Sequence, residues 1–439
     1  MLSVCALTVV SVGERAPRMP VLPASVVLIT LDTTRADRLP PHGNLPLPAI
    51  DGLARDGVVF DRAVAPVPLS LPSHASLFTG RLPQVHGARV NGATVSAGLP
   101  LLAEQLHAAG FSTGAFVGSV VLNRSRGLER GFDVYDDVVS PTGFRRLRRP
   151  AHEVVDAAVG WVNTLDSSPF FLWVHLFDAH APYAMPEAFD ASPDGDPYNG
   201  AIAIMDGEIG RLLNALEHRG RLERTAVIVT ADHGESLGDH GERGHGIFVY
   251  ESAVRVPLII RWPGIAPRRV GDLAQLIDLA PTVLALQGFT APPMDGVSLA
   301  RVLQGRYSDG RFAYAESMYP LQHGWSALQS VRQGRYKFIE APRPELYDLV
   351  GDPGEVRNLY EKQPAIAAQL QSLLRTFGPA GLSKGAPADG ASRDRLAALG
   401  YTASSTSPSN AVPAIWPDPK DTIGVYNELT EQRMKQRDR

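Results

Sequence analysis

The 439-residue sequence predicts an α/β fold: a large, mostly parallel (mixed) sheet with helices on both faces, then a small C-terminal α+β lobe with a short antiparallel sheet. Three observations predict it. Apolar runs of strand length alternate with amphipathic helical stretches from Ser25 to about residue 305, as in a parallel sheet covered on both faces. Polar residues recur just past the carboxyl ends of those runs: Asp32, Asp178, His180, Asp232 and His233. Open α/β sheets bind ligands at that edge. Past residue 305 the pattern changes to short strand-like runs.

Ser25–Asp32 (SVVLITLD) reads as a buried strand with a carboxylate at its end. Leu101–Ala109 reads as a helix, opened by Pro100 and closed by Gly110. Thr113–Gly118 is a short strand and Ala151–Leu165 a helix. Phe170–Phe177 (FFLWVHLF) is a strand that runs at once into Asp178, His180 and Pro182. Gly200–Arg219 is a helix with Met205, Ile209, Leu212, Leu213 and Leu216 on one face. Ala226–Thr230 and Val256–Ile260 are strands, and Leu276–Gln287 is a helix. In the lobe, Phe312–Glu316, Ala327–Arg332, Tyr336–Glu340 and Glu345–Asp348 read as strands and Pro364–Phe377 as a helix. Gly378–Ala391 and Ser404–Ser409 read as loose linkers. Thr422–Arg439 reads as a polar helix, the expected opening of a longer natural chain. The expected division is an N-terminal segment 1–24, a catalytic domain 25–305, a subdomain 306–377, and a linker with helical tail 378–439.

Composition narrows the function. A net charge of −4 gives no basic footprint for nucleic acid. The lone cysteine, Cys5, rules out an internal disulfide framework and a thiolate zinc cluster. Only five of the 42 basic residues are Lys, and none precedes Lys337. No run is long enough to span a bilayer. Met1–Val12 is apolar with small residues after it, resembling a signal peptide that lacks its basic start. Export to the periplasm or medium is therefore expected, with the cytoplasm as the alternative.

Two constellations carry chemistry. In Pro66–Arg81 (PVPLSLPSHASLFTGR), Ser70 precedes Pro72 at a helix start. A nucleophile there would meet free N–H groups and the positive end of the helix dipole, which suit an anionic ester. The plain alternative is an N-cap serine. Asp32, Asp232 and His233, each just past a strand, offer two carboxylates and an imidazole to one divalent cation, with Ser70 as a fourth ligand.

With these segments in view, the chain resembles the sulfatase family of the alkaline phosphatase superfamily. The family signature is Cys or Ser, any residue, Pro, Ser, Arg, a short spacer and Leu-Thr-Gly-Arg. Here it reads Ser70-Leu71-Pro72-Ser73-His74, then Leu77-Phe78-Thr79-Gly80-Arg81. Supporting blocks stand in family order, among them LITLDTTRAD (Leu28–Asp37), HLFDAHAPY (His175–Tyr183), TADHGESLGDHG (Thr230–Gly241), HGIFVYE (His245–Glu251) and ELYDLVGDPGEVRNL (Glu345–Leu359). The match runs from about Ser25 to Leu359.

The resemblance implies a metal-dependent hydrolase of sulfate esters, with a small-molecule or saccharide ester as substrate. Asp32, Asp232, His233 and Ser70 match the metal ligands; calcium is the first expectation, with manganese, zinc and iron as alternatives. Ser70 matches the nucleophile, which a maturation enzyme oxidises to formylglycine in working sulfatases. His180 matches a histidine near the scissile ester, a candidate general acid. His245 stands where many sulfatases place a substrate-contacting lysine. His74, Asn91 and Asp178 are the further substrate-side candidates. The plain alternatives are a solvent-facing His74, an Asp178 that caps a turn, and a His175 that is merely core.

Three departures are expected to matter. The signature arginine is His74, the second aspartate of the first metal block is Thr33, and the usual lysines of the large domain are missing. A protonated His245, or a second metal held by some of Asp178, His180 and His245, would compensate. If Ser70 stays a serine, its sulfate ester has no easy exit. A phosphatase, phosphodiesterase or phosphoryl transferase then becomes the alternative. A metal-binding pseudo-enzyme is the third reading.

Overall fold

The computed structural model describes residues 25–139, 148–183, 192, 194–306, 310–381 and 416–437, with side chains to residue 432. The signal-like segment and both linker stretches lie outside these residues, apart from 378–381. Eight strands form the large sheet: β1 (Ser25–Leu31), β2 (Val58–Val64), β3 (Ser112–Val117), β4 (Val134–Asp136), β5 (Phe170–Leu176), β6 (Thr225–Ala231), β7 (Arg255–Arg261) and β8 (Arg268–Gln275). Their order is β4-β3-β5-β1-β6-β7-β2-β8. All neighbours pair in parallel except at β7, which runs against both β6 and β2.

Every residue of β1, β5 and β6 is buried, so their side chains alternate between two cores. Val26 and Leu28, Phe171 and Trp173, Ala226 and Ile228 face one core together with Leu71, Ala75 and Phe78 of the helix Ser70–Thr79. Val27 and Ile29, Leu172 and Val174, Val227 and Val229 face the other. That second core is closed by the helices Pro48–Asp56, Ala151–Thr164 and Pro197–His218. The helix Ser70–Thr79 is buried on all sides and ends at Gly80, whose left-handed φ of 63° lets its N–H cap Ser76 O. Phe78 meets Trp173 edge-on at 4.7 Å, seating this helix on β5.

Register places the chemistry. Leu31 pairs with Leu176 on one side and with Ala231 on the other. The residues just past each strand therefore emerge side by side, one strand spacing apart. This is how Asp32 and Asp232, 200 residues apart in sequence, come together.

The lobe is an antiparallel sheet of β9 (Phe312–Ser317), β10 (Leu328–Gln333), β11 (Tyr336–Glu340) and β12 (Glu345–Asp348), in the order β12-β11-β10-β9. The helix Pro364–Arg375 covers it through Ala367, Leu370 and Leu374. A last helix, Pro419–Arg437, returns to the body of the protein. Its Ile423 and Tyr426 are buried in the main core, and Asp421 pairs with Arg343 at 2.7 Å. No helix among the described residues is long and apolar enough to cross a membrane.

Candidate active site

Ser70 is the first residue of its helix, but its side chain does not cap it. The hydroxyl turns to the sheet edge, donating to Asp32 Oδ2 at 3.0 Å, with His233 Nε2 3.4 Å away. The plain N-cap reading therefore fails. Asn91 serves the helix start instead: its Oδ1 accepts from Leu71 N at 3.0 Å. Its Nδ2 is buried without a hydrogen-bond partner, a donor held next to the nucleophile.

Asp32, Asp232 and His233 are fully buried, and their ligand atoms lie within 4.8 Å of one another. Asp232 Oδ1 accepts from Thr33 N at 3.2 Å and from His233 N at 2.9 Å, which leaves Oδ2 buried and unpartnered. Asp32 Oδ1 is likewise buried and unpartnered. His233 Nδ1 donates to Gly234 O at 2.9 Å, so Nε2 is the nitrogen turned to the carboxylates, 3.5 Å from Asp232 Oδ2. Gly234 permits this turn, since a Cβ there would collide with the Ser252 carbonyl. Burial pushes the Asp32 carboxyl up to about 6. Two orphaned carboxylate oxygens converging on an imidazole nitrogen fit a divalent cation.

Thr33, at the position of the missing second aspartate, faces inward. It has a left-handed φ of 52°, and its hydroxyl donates to Ala179 O at 2.7 Å. Its N–H and hydroxyl thus fasten Asp232 to the β5 loop at a locally strained residue.

The histidines sort into two sets. His74 is fully buried, which overturns a solvent-facing position. Its Nδ1 donates to Ser70 O at 2.7 Å, and its Nε2 accepts from Thr30 Oγ1 at 3.0 Å, itself an acceptor for Trp173 Nε1. Both ring nitrogens are thus engaged beneath the nucleophile, not on the substrate side. His175 is more than core: its Nε2 stands 3.1 Å from Asp32 Oδ2. Burial lowers His74 to about 3 and His175 to about 4, so neither replaces the signature arginine as a fixed cation.

The second set lies above. The His180 ring stacks on Phe177 at 4.4 Å, and its Nδ1 donates to Ala181 O at 2.7 Å. The His245 ring centroid lies 4.4 Å from His233 and 5.1 Å from His180. Burial lowers His245 to about 4, so it is neutral at pH 7 and the protonated form expected as compensation does not hold. Asp178 has the plain role: its Oδ1 accepts from Ala151 N at 3.2 Å, at the start of a helix. Its other oxygen is buried and unpartnered, and burial pushes the carboxyl up to about 6. Among the described residues, Asp178, His180 and His245 form no convergent ligand group, so the second metal is not supported there.

Three residues were missed in the sequence. Glu235 Oε1 stands 3.1 Å from His245 Nδ1, and its Oε2 accepts from Tyr183 at 2.9 Å. The DHGE run was visible, but nothing local tied Glu235 to His245. Arg148, whose Nη1 donates to Pro182 O at 3.2 Å, bears electrostatically on both Asp178 and His180. It brings a cation to an edge that has no lysine, from a segment bridged to Ser119.

The loop carrying His245 is pinned by Glu242, which accepts from Ile247 N at 2.8 Å and from Ser236 Oγ at 2.9 Å. Burial pushes the Glu242 carboxyl from 4.5 up to about 8. An acid that is harder to ionise folded than unfolded contributes fully below its unfolded value, and the contribution is lost as pH rises toward the folded one. Glu242→Gln is expected to flatten part of the fall in Tm between about pH 5 and 8. A Tm that falls as steeply as in the wild type would exclude Glu242 as a source of that slope.

A cavity of about 720 Å³ opens elsewhere, between lobe and large domain, lined by Arg35, Asp37, His240, Glu251, Arg255 and Tyr347 among others. No candidate site residue lines it, and its charges are engaged in ion pairs: Arg35 with Asp37 and Asp239, and Glu251 with Arg332 and Lys337 outside the lining. The candidate residues gather instead at the sheet edge.

The eight-stranded mixed sheet with its small antiparallel lobe is an alkaline-phosphatase-like fold. The sulfatase family profile matches residues 24–289, more than half of the chain, and this protein belongs to that family. A second profile, the C-terminal region of N-sulphoglucosamine sulphohydrolase, matches residues 238–377. Human arylsulfatase A is 28% identical over 466 aligned residues, covering 83% of this chain and 91% of that protein. The N-acetylglucosamine-6-O-sulfatase of Bacteroides thetaiotaomicron is 34% identical over 177 residues, 38% of this chain and 32% of that one. Among solved structures, the phosphonate monoester hydrolase of Agrobacterium radiobacter superposes with a TM-score of 0.69 at 21% identity, covering 81% of this chain and 95% of its own. A protein solved with its substrate D-glucosamine-2-N,6-O-disulfate has the same score and identity, covering 81% and 97%.

Proposed function

We propose that this protein hydrolyses sulfate esters, with a sulfated saccharide or similar small molecule as substrate and the Ser70 side chain as nucleophile. One observation carries the reading: the Ser70 hydroxyl is buried between Asp32 Oδ2 and His233 Nε2, inside a carboxylate–imidazole group with two orphaned oxygens. A divalent cation held by Asp32, Asp232 and His233, with Ser70 beside them, would polarise the ester oxygens. Calcium, manganese, zinc and iron all suit this donor set.

The protein's own groups supply the rest. Asp32 orients the Ser70 hydroxyl and favours release of its proton. Asn91 Nδ2 and Arg148 offer donors to the anionic ester. His180, with its proton on Nδ1, presents Nε2 as an acceptor. Burial holds the Glu235 carboxyl up to about 8, so at pH 7 it can keep a proton toward His245 Nδ1, which leaves His245 its proton on Nε2. His245 is then the better placed donor to the leaving alkoxide, a role first expected of His180. Formylglycine at Ser70 would give the sulfated nucleophile a second hydroxyl and so a way to expel sulfate.

Glu235→Ala is expected to lower kcat/KM about a hundredfold, and Glu235→Gln, whose amide can still donate to His245, only about tenfold. Equal losses would remove the orienting role. The reading as a whole is tested on protein from a host with a formylglycine-forming enzyme. The mass of the tryptic peptide Ala63–Arg81 is measured, with turnover of aryl sulfates, phosphate esters and phosphonates. Loss of two hydrogens at Ser70 with sulfate-ester turnover is expected. Intact serine with phosphoryl turnover would move the function to the alternative, which His74 in place of the signature arginine favours. Bound metal with no turnover of any ester would leave the pseudo-enzyme.

A further inference from the structure

The helix Pro419–Arg437 lies beyond both family profiles, which end at residues 289 and 377. It nevertheless covers the loop that presents His245. That loop is closed on itself: Ser236 N donates to Gly244 O at 2.8 Å, Gly238 N to Glu242 O at 2.8 Å, and Glu242 holds Ile247 N from inside. On its outer side Gly241 and Arg243 are exposed. There the Asn427 side chain takes both exposed backbone groups, donating to Gly241 O at 2.7 Å and accepting from Arg243 N at 3.3 Å. Glu431 pairs with the Arg243 guanidinium at 2.8 Å, and Ile423 abuts Gly241.

Tyr426 reaches deeper. Its ring meets His323 edge-on at 5.3 Å, Trp325 at 6.3 Å and Tyr319 at 6.3 Å. Tyr319 in turn packs against Gly246, the residue after His245. The Tyr426 phenol bonds to Tyr319, and burial and then the Glu242 carboxylate push it up to about 12. The helix is therefore joined to the His245 loop from outside through Asn427 and from beneath through Tyr426.

We infer that the helix Pro419–Arg437 is a brace for the catalytic loop, and that Asn427 and Tyr426 are positioning residues for His245. The functional half rests on the reading of His245 as a proton donor. The structural half does not. An imidazole that must deliver a proton has to keep its place to within a fraction of an ångström, and displacements of about 1 Å cost up to about a hundredfold. A loop whose backbone pairs only with itself and water opens readily. Asn427 adds a two-point clamp from another element.

The test uses the full chain. Asn427→Ala, Asn427→Asp and Asp421→Ala are compared with the wild type by hydrogen exchange of the peptide spanning residues 238–247 and by steady-state kinetics on an aryl sulfate. Asn427→Ala is expected to speed exchange of that peptide about tenfold and to lower kcat about tenfold with KM nearly unchanged. Asn427→Asp, which keeps the acceptor for Arg243 N, should fall between. Asp421→Ala removes a contact to the lobe only and should leave both readouts at wild-type values. Wild-type exchange in Asn427→Ala would overturn the brace. Faster exchange with unchanged kcat would overturn its role in catalysis. A wild-type protein inactive on every ester would sink the functional reading, while exchange alone would still decide the brace.

Discussion

Asp232→Asn is expected to lower kcat/KM on the order of a thousandfold or more and to empty the metal site, while leaving the fold in place. The argument is atomic. Asp232 Oδ1 already serves two backbone donors, Thr33 N and His233 N, and an asparagine oxygen can keep both. What the substitution changes is Oδ2, the buried oxygen with no partner, which becomes an amide that cannot ligate a cation. It also removes a carboxylate that is fully buried beside Asp32. With a chelator present, the Asp232→Asn protein should therefore melt no lower than the wild type. Elemental analysis and calorimetry with and without chelator check both halves. Full metal content in the variant would exclude Asp232 as a ligand, and a large drop in Tm under chelator would show that its charge is needed for folding.

Ser70→Ala should be more severe for activity and milder for structure. The hydroxyl makes no helix-capping bond, so its loss costs the fold only one buried hydrogen bond, about 1 kcal/mol, and releases an oxygen of Asp32. Catalysis loses its nucleophile, and residual turnover should fall on the order of ten-thousandfold or more. Metal content should stay close to wild type, because Asp32, Asp232 and His233 remain. That split distinguishes Ser70 from Asp232: one variant is metal-loaded and inactive, the other metal-free and inactive. Comparable turnover in Ser70→Ala and wild type would place the nucleophile on a water molecule.

The strands at the centre of the sheet were legible because they are buried on both faces and therefore continuously apolar. β2, β4 and β8 were not, since VVFDRAV breaks its pattern with two charges, β4 has three residues, and RRVGDLAQ is an edge strand with one wet side. β7 was placed correctly, but its reversal depends on connections that composition does not record. At the site, Asp32, Asp232 and His233 were readable because strand ends in register bring their followers together. His74 was misplaced because its helix, expected to have a wet face, is wedged between the sheet and the segment Leu276–Leu286 and has none. Glu235 and Tyr183 escaped because they meet across 52 residues of chain. The tail helix gave no apolar stripe to follow, since it docks through an asparagine, ion pairs and one tyrosine.

The burial of the nucleophile segment also sets a clock. From Ala63 to Gly80 every residue is enclosed, so in the finished protein another protein cannot read the residues around Ser70. The pairings that enclose them join residues far apart in the sequence, Ser73 to Asp232 and Leu82 to Asp295 among them. Any enzyme that recognises this stretch and alters Ser70 has to act while the ribosome or an export channel still holds the chain open. Its opportunity ends when the strands carrying Asp232 and the later segments arrive. Whether a given molecule is competent would then be decided during its synthesis, and a copy that folds first stays unaltered for life.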